Sequence, residues 1–187
     1  MEFEDIYNLV EETSSGEAAF NKEECKALYD ALQSLEKGEH VVEIGVQFGR
    51  SATVLGQVSK DRNLKLTLVD NWGEDVSPEA KANIESQIEK YKWDVEKMWI
   101  DSEKASKLFK GEIGLIHIDG DHTFEGVYAD CTNWLPKVRV GGYACFDDYG
   151  HDSLPGVFKA VTQYMSKYGG WEFIGRFGNK IGVFRKI

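Results

Sequence analysis

This chain of 187 residues predicts an α/β fold: a doubly wound, mostly parallel, Rossmann-like sheet of seven strands, with a C-terminal antiparallel hairpin and N-terminal helices. Three observations predict it. Short apolar runs alternate along the chain with stretches whose apolar residues recur at helical spacing. The unit from Val41 to Ser51 reads as strand, glycine turn and helix start, the opening of a doubly wound sheet. Two β-rich segments near the end flank Gly178-Asn179, a hairpin turn pair.

The elements follow in order. Residues 1–15 form a short helix with Phe3, Ile6, Tyr7 and Val10 on one face, ended by a polar break. Asn21, with Glu24 three residues on, is a capping box that opens a helix striped by Leu28, Leu32 and Leu35 and closed by Gly38. Val41 to Val46 is a buried strand, and Ala52, Val54, Leu55 and Val58 continue the crossover helix after it. Leu64 to Val69 is the second strand, ending in Asp70-Asn71-Trp72. Ser77-Pro78-Glu79 starts a helix with Ile84, Ile88 and Tyr91 buried. Val95 to Ile100 is the third strand, followed by a short helix bearing Ala105, Leu108 and Phe109. Ile113 to Ile118 is the fourth strand. Phe124, Val127, Tyr128, Cys131, Trp134 and Leu135 give the clearest helix, which Pro136 ends. Gly141-Gly142 turns the chain into a fifth strand, Tyr143 to Phe146. Ser153-Leu154-Pro155 starts a last helix, and Trp171 to Phe177 and Ile181 to Ile187 form the hairpin. No linker or repeat divides the chain, so residues 1–187 are expected to be one domain, with residues 1–40 a helical addition.

Composition narrows the function classes. A net charge of −10 argues against a phosphate-binding nucleic-acid module. The apolar runs are too short to span a membrane, and the acidic N-terminus has no signal-peptide pattern. Cys25, Cys131 and Cys145 are odd in number and widely spaced, which fits neither a disulfide framework nor a zinc ribbon. A cytoplasmic setting, a small-molecule partner, and neither nucleic acid nor membrane are the expectations; a homo-oligomer stays open.

Acids at strand ends carry the chemistry. Glu43, Asp70, Asp101, Asp119 and Asp147-Asp148 all fall at or beside the carboxyl ends of the predicted strands, which in a parallel sheet is one place. Any one of them has a plain reading as a turn or a helix cap, and for Asp121 and Ser102 the cap is preferred. Asp70 is placed to accept ribose hydroxyls. Asp101 with Ser102 is placed to meet an adenine edge, and Trp72 either stacks on the nucleoside or fills the core. Gly45 and Gly49 leave Gln47 where a dinucleotide fingerprint needs a glycine, which counts against a nicotinamide cofactor. The same glycines also suit an ordinary tight βα turn. His117 alternates inside a strand and reads as a core residue; His40 reads as a loop residue.

Glu43-x-Gly45-x-x-x-Gly49-x-Ser51 resembles the first motif of class I S-adenosylmethionine-dependent methyltransferases. Ile116-His117-Ile118-Asp119-Gly120-Asp121-His122 and Cys145-Phe146-Asp147-Asp148-Tyr149 resemble the small O-methyltransferases that include macrocin O-methyltransferase-like proteins. The resemblance runs from about Val41 to the C-terminus, and the terminal hairpin is a further part of it.

It implies S-adenosylmethionine as cofactor, with Glu43, Gly45, Gln47 and Ser51 at its amino acid end, Asp70, Asn71 and Trp72 at the ribose, Asp101 and Ser102 at the adenine, and Asp119 beside it. It implies Mg²⁺ or another divalent cation on Asp119, Asp147 and Asp148, where hard oxygen ligands suit such an ion. His122 falls where catechol-type relatives carry a lysine base, and imidazole can take a proton from a hydroxyl. His151 is a second candidate. The reading is O-methylation of a small molecule. The alternatives are a catalytically silent S-adenosylmethionine- or nucleoside-binding protein, an NAD-linked enzyme, or metal-assisted hydrolysis, which the Asp147-Asp148 pair alone supports.

Overall fold

The computed structural model describes residues 1–13, 20–73 and 78–187. The elements are α1 (Phe3–Thr13), α2 (Lys22–Gln33), β1 (His40–Ile44), α3 (Arg50–Arg62), β2 (Lys65–Val69), α4 (Pro78–Tyr91), β3 (Val95–Met98), α5 (Ser102–Leu108), β4 (Ile113–Ile118), α6 (Phe124–Trp134), β5 (Val138–Phe146), α7 (Pro155–Tyr168), β6 (Trp171–Phe177) and β7 (Ile181–Lys186). The seven strands lie in one sheet in the order β3-β2-β1-β4-β5-β7-β6. The pairs β3-β2, β2-β1, β1-β4 and β4-β5 are parallel, and β7 runs antiparallel to both β5 and β6.

Alternation along each strand sends side chains to opposite faces. Val41 joins Leu28, Leu32 and Leu55 on one face, while Val42 and Ile44 join Ile116, Phe146 and Trp134 on the other. Leu28, Leu32 and Leu55 are wholly buried, each stabilising the fold by about 1.5–3 kcal/mol.

The capping box at Asn21 is present in full: its side chain accepts from Glu23 N and Glu24 N, and Glu24 returns to Asn21 N at 2.8 Å. Asn21 Nδ2 also donates to Gly178 O at 3.0 Å, which fastens the start of α2 to the β6–β7 turn. In α1, Ile6 and Val10 are buried and Phe3 and Tyr7 pack half-buried beside them.

Several boundaries differ from the sequence expectation. β1 stops at Ile44, because Gly45 turns at φ +82°. β3 ends at Met98, two residues short of the predicted end, and Ile100 N–H folds back to Met98 O. His40 begins β1 and is not a loop residue. Gly141-Gly142 is not a turn before the fifth strand: β5 runs through it from Val138, with a register shift where Gly141 adopts φ +77°. Pro136 sits in a 3₁₀ turn, Leu135–Lys137, that carries the chain past α6. The cap expected at Ser77 lies outside the described residues. Among those residues no helix is long and apolar enough to cross a membrane.

Candidate functional site

Parallel pairing alone brings the acids together. Beyond each strand the ladder continues for one more bond: Gly45 N to Val69 O, Asp119 N to Ile44 O and Asp147 N to Ile118 O, at 2.8 to 3.0 Å. Asp70 N likewise donates to Met98 O at 3.2 Å. Asp70, Asp119 and Asp147 therefore follow directly on β2, β4 and β5 at one edge of the sheet, as the sequence predicts.

Gly45 is where the loop needs a glycine. A Cβ there would stand 2.1 Å from the carbonyl oxygen of Asp119. The loop passes tight against β4 and then opens α3 at Gly49, φ +79°. Asp70 braces this loop: its Oδ2 accepts from Val46 N at 2.8 Å and Gln47 N at 3.2 Å, while Oδ1 accepts from Trp72 N at 2.7 Å.

Two cavities meet along this loop. The first, about 330 Å³, is lined by Gly45, Gln47, Asp70 and Asn71 together with Asp101, Ser102, Asp119, Gly120 and Asp130. The second, about 230 Å³, is walled by Gln47, Ser51, Asp119, His122, Asp147, Asp148 and Lys180, with Phe20 and Phe48 at its apolar side. Gln47 and Asp119 line both. A larger groove of about 770 Å³ between α1, α2 and the β6–β7 hairpin shares no residue with either.

Several expected ligand residues have other partners. Glu43 is wholly buried in the sheet, with Oε1 3.3 Å from His117 Nδ1, and lines neither cavity. Its Oε2 and His117 Nε2 have no hydrogen-bond partner, so the core histidine is only half satisfied. Trp72 packs edge-on against Trp99 at 5.1 Å and does not line the first cavity, which favours the core reading. The α5 cap is Asp101, not Ser102: Asp101 Oδ1 accepts from Lys104 N, while Ser102 Oγ turns inward to Asp130. Asp121 Oδ1 accepts from Thr123 N in the turn before α6, a local role of the kind expected.

At the second cavity His122 Nε2 stands 3.4 Å from Asp119 Oδ1 and 3.2 Å from Asp148 Oδ2, and Lys180 Nζ stands 3.2 Å from Asp148 Oδ1. The two acids push His122 up to about 10. That shift favours the imidazolium and counts against His122 as the base the resemblance implies. Burial, and then the neighbouring Asp147, raise Asp119 to about 7. The contact with His122 holds Asp148 below the usual carboxylate range, with Lys180 acting in the same direction. His151 lies just beyond, half-buried, with Nδ1 unpartnered.

The three acids expected to hold a metal do not form a metal-holding group; among the described residues no cluster of three or more His, Cys, Asp and Glu side chains does. His122 occupies the space between Asp119 and Asp148. The donor chemistry still fits a hard divalent ion, and Asp147 Oδ1 is a buried oxygen with no partner.

Sequence reading missed Lys180 and Asp130. Lys180 follows a turn whose Gly178 and Asn179 are both left-handed, and nothing local says it folds back onto Asp148. Asp130 did leave a signal: it lies three residues after Val127 and four before Trp134, on the buried stripe of α6.

Residues 42–149 match the model of a family described as a methyltransferase domain, and the chain belongs to that family. With its fold and cavity, it is a class I methyltransferase, the class that uses S-adenosylmethionine. Its fold resembles the S-adenosylhomocysteine-bound methyltransferase PaMTH1 of Podospora anserina: TM-score 0.73, 14% identity, 99% of this chain and 87% of that one. It also resembles the O-methyltransferase NovP: TM-score 0.72, 19% identity, 87% of this chain and 78% of that one. The TDP-rhamnose 3′-O-methyltransferase CalS11 of calicheamicin biosynthesis is a further likeness, with TM-score 0.70, 14% identity, 98% of this chain and 92% of that one. An uncharacterised mimivirus protein, R132 of Acanthamoeba polyphaga mimivirus, is 35% identical over 78 residues. That match covers 37% of this chain and only 35% of the relative's length.

Proposed function

We propose that this methyltransferase acts on a hydroxyl oxygen of a small molecule. The observation that carries the reading is the second cavity, which opens off the glycine loop and presents Asp119 and His122 at the acceptor end. Bound S-adenosylmethionine supplies an electrophilic methyl group. The glycine loop, braced by Asp70, holds the donor side, and Phe20 and Phe48 keep the acceptor side apolar. Asp119, poised near neutrality, takes the hydroxyl proton as the oxygen–carbon bond forms and the sulfur–carbon bond breaks. The His122 imidazolium steadies the charge on Asp119 and Asp148. Holding donor and acceptor in line supplies most of the acceleration. A divalent cation is the alternative to that proton transfer on donor chemistry: Asp119, Asp147 and Asp148 would hold it, and it would polarise the acceptor oxygen in place of Asp119 acting as base.

Calorimetry with S-adenosylhomocysteine and with NAD tests the cofactor. S-adenosylhomocysteine should bind, and Asp70→Ala should weaken it by about 1–3 kcal/mol. Release of S-adenosylhomocysteine across a panel of catechols and sugars, with and without chelator, tests the rest. Turnover should appear with a hydroxylated acceptor, and a fall on chelation would favour the cation over Asp119 as base. NAD binding without S-adenosylhomocysteine binding would overturn the cofactor. Full turnover after chelation would remove the cation and leave proton transfer to the Asp119–His122 pair.

A further inference from the structure

The floor of the first cavity contains a hydrogen-bonded chain with a direction. Trp134 Nε1 donates to Ser102 Oγ at 2.9 Å, and Ser102 Oγ donates to Asp130 Oδ1 at 2.5 Å. An indole N–H only donates, so the serine proton must point to the carboxylate. Trp134 is wholly buried and Asp130 is only 6% exposed, so the chain is set before any ligand arrives. One carboxylate oxygen is thus fixed. The other, Oδ2, lies 3.7 Å from the place a Cβ on Gly120 would fill. Gly120 and Asp130 both line the cavity, and the missing side chain leaves the space between them open.

Both residues the sequence assigned to the adenine line the cavity, but neither is a buried acceptor. Asp101 is exposed and caps α5, and the Ser102 proton is committed inward. Asp70 is committed to the loop, where it accepts from Val46 N, Gln47 N and Trp72 N.

We infer that Asp130 is a specificity-determining residue of the cofactor cavity, whose carboxylate accepts from the exocyclic amino group of the adenine and so selects a 6-aminopurine over a 6-oxopurine. The inference rests on the cofactor reading above. A carboxylate offers acceptors only, so a 6-oxo group there would set oxygen against oxygen, and a buried mismatch of that kind discriminates strongly. Burial raises Asp130 to about 6, with its Ser102 bond opposing, so the group is a carboxylate at pH 7.5.

Calorimetry at pH 7.5 with S-adenosylhomocysteine and its 6-oxo analogue, S-inosylhomocysteine, is the test. The wild type should prefer S-adenosylhomocysteine by tenfold or more. Asp130→Asn, which can offer an amide N–H, should lose at least five-fold in affinity for it and narrow or reverse the preference. Ser102→Ala, which frees Asp130 to rotate, should narrow the preference less and covers the case of an unfolded Asp130→Asn. An unchanged preference in whichever variant folds would make Asp130 a purely structural acid. Binding of neither ligand by the wild type would overturn the cofactor reading and this inference with it.

Discussion

Glu24 shows how a local signal and its tertiary setting pull apart. By sequence it is the third-position acid of a capping box, and it fills that role. The fold also buries it wholly, with its Cγ only 2.5 Å from the place a Cβ on Gly178 would occupy. Burial raises it to about 7 from an ordinary 4.5; the bond from Asn21 N–H opposes this, Asp147 and Asp148 add to it, and Lys180 counters it. A folded value above the unfolded one means that the folded state holds the proton more tightly. That stabilisation is complete below about pH 4.5 and is lost as pH rises through about 7. Glu24→Gln stays neutral and can still accept from Asn21 N–H. Urea unfolding should therefore find it more stable than wild type by about 2 kcal/mol at pH 8 and no different at pH 4. An equal difference at both pH values would mean that the effect is steric.

Among the elements, the β1–α3 loop decides the site. Two glycine positions were legible as a turn, but their physical reason was not. Gly45 is required by the carbonyl of Asp119, 74 residues away in sequence. Gly49 pairs a left-handed cap with a close approach to Ile84 of α4. Gly45→Ala must either push β4 outward or strain the loop, at a cost of several kcal/mol from the clash and the positive φ together. Thermal unfolding should show a large loss of stability, and calorimetry should show no S-adenosylhomocysteine binding in whatever fraction remains folded. Native-like melting and binding would mean that the loop stands off from β4. The β5–β7 end carries the same lesson. Tyr149 N–H donates to Lys180 O at 2.7 Å, so the hairpin turn and the acid pair are fixed by each other, although 31 residues separate them.

For the whole molecule, the site is a property of the native sheet alone. Asp70, Asp119 and Asp147 meet only when β2, β1, β4 and β5 pair in order. A cofactor that binds there binds the folded state and not the unfolded one. S-adenosylhomocysteine at a hundred times its dissociation constant should then add about 2.7 kcal/mol to stability. For a chain of this length that is a rise in midpoint of about 5–10 °C, readable by calorimetric melting. NAD at the same concentration should leave the midpoint in place. No shift with a bound ligand would mean that the unfolded chain binds it too.

The sequence by itself determined the alternation of strands and helices, the capping box at Asn21, the closing hairpin and the row of acids at the strand ends. These are legible because hydrophobic period, turn chemistry and cap residues are local, and because parallel strands put their carboxyl ends at one edge whatever their order. It also singled out Gly45 and Gln47 at the loop that divides the two cavities. Only the tertiary structure decided what each acid does. Asp101 became a cap, Glu43 a buried partner of His117, and Asp119 a near-neutral group beside His122. Asp130 and Lys180 entered the site from α6 and the hairpin. Partners such as Ser102 and Asp130, or Lys180 and Asp148, lie 28 and 32 residues apart in sequence. A hydrogen bond reaches about 3 Å in space, and no local pattern encodes a neighbour that far along the chain.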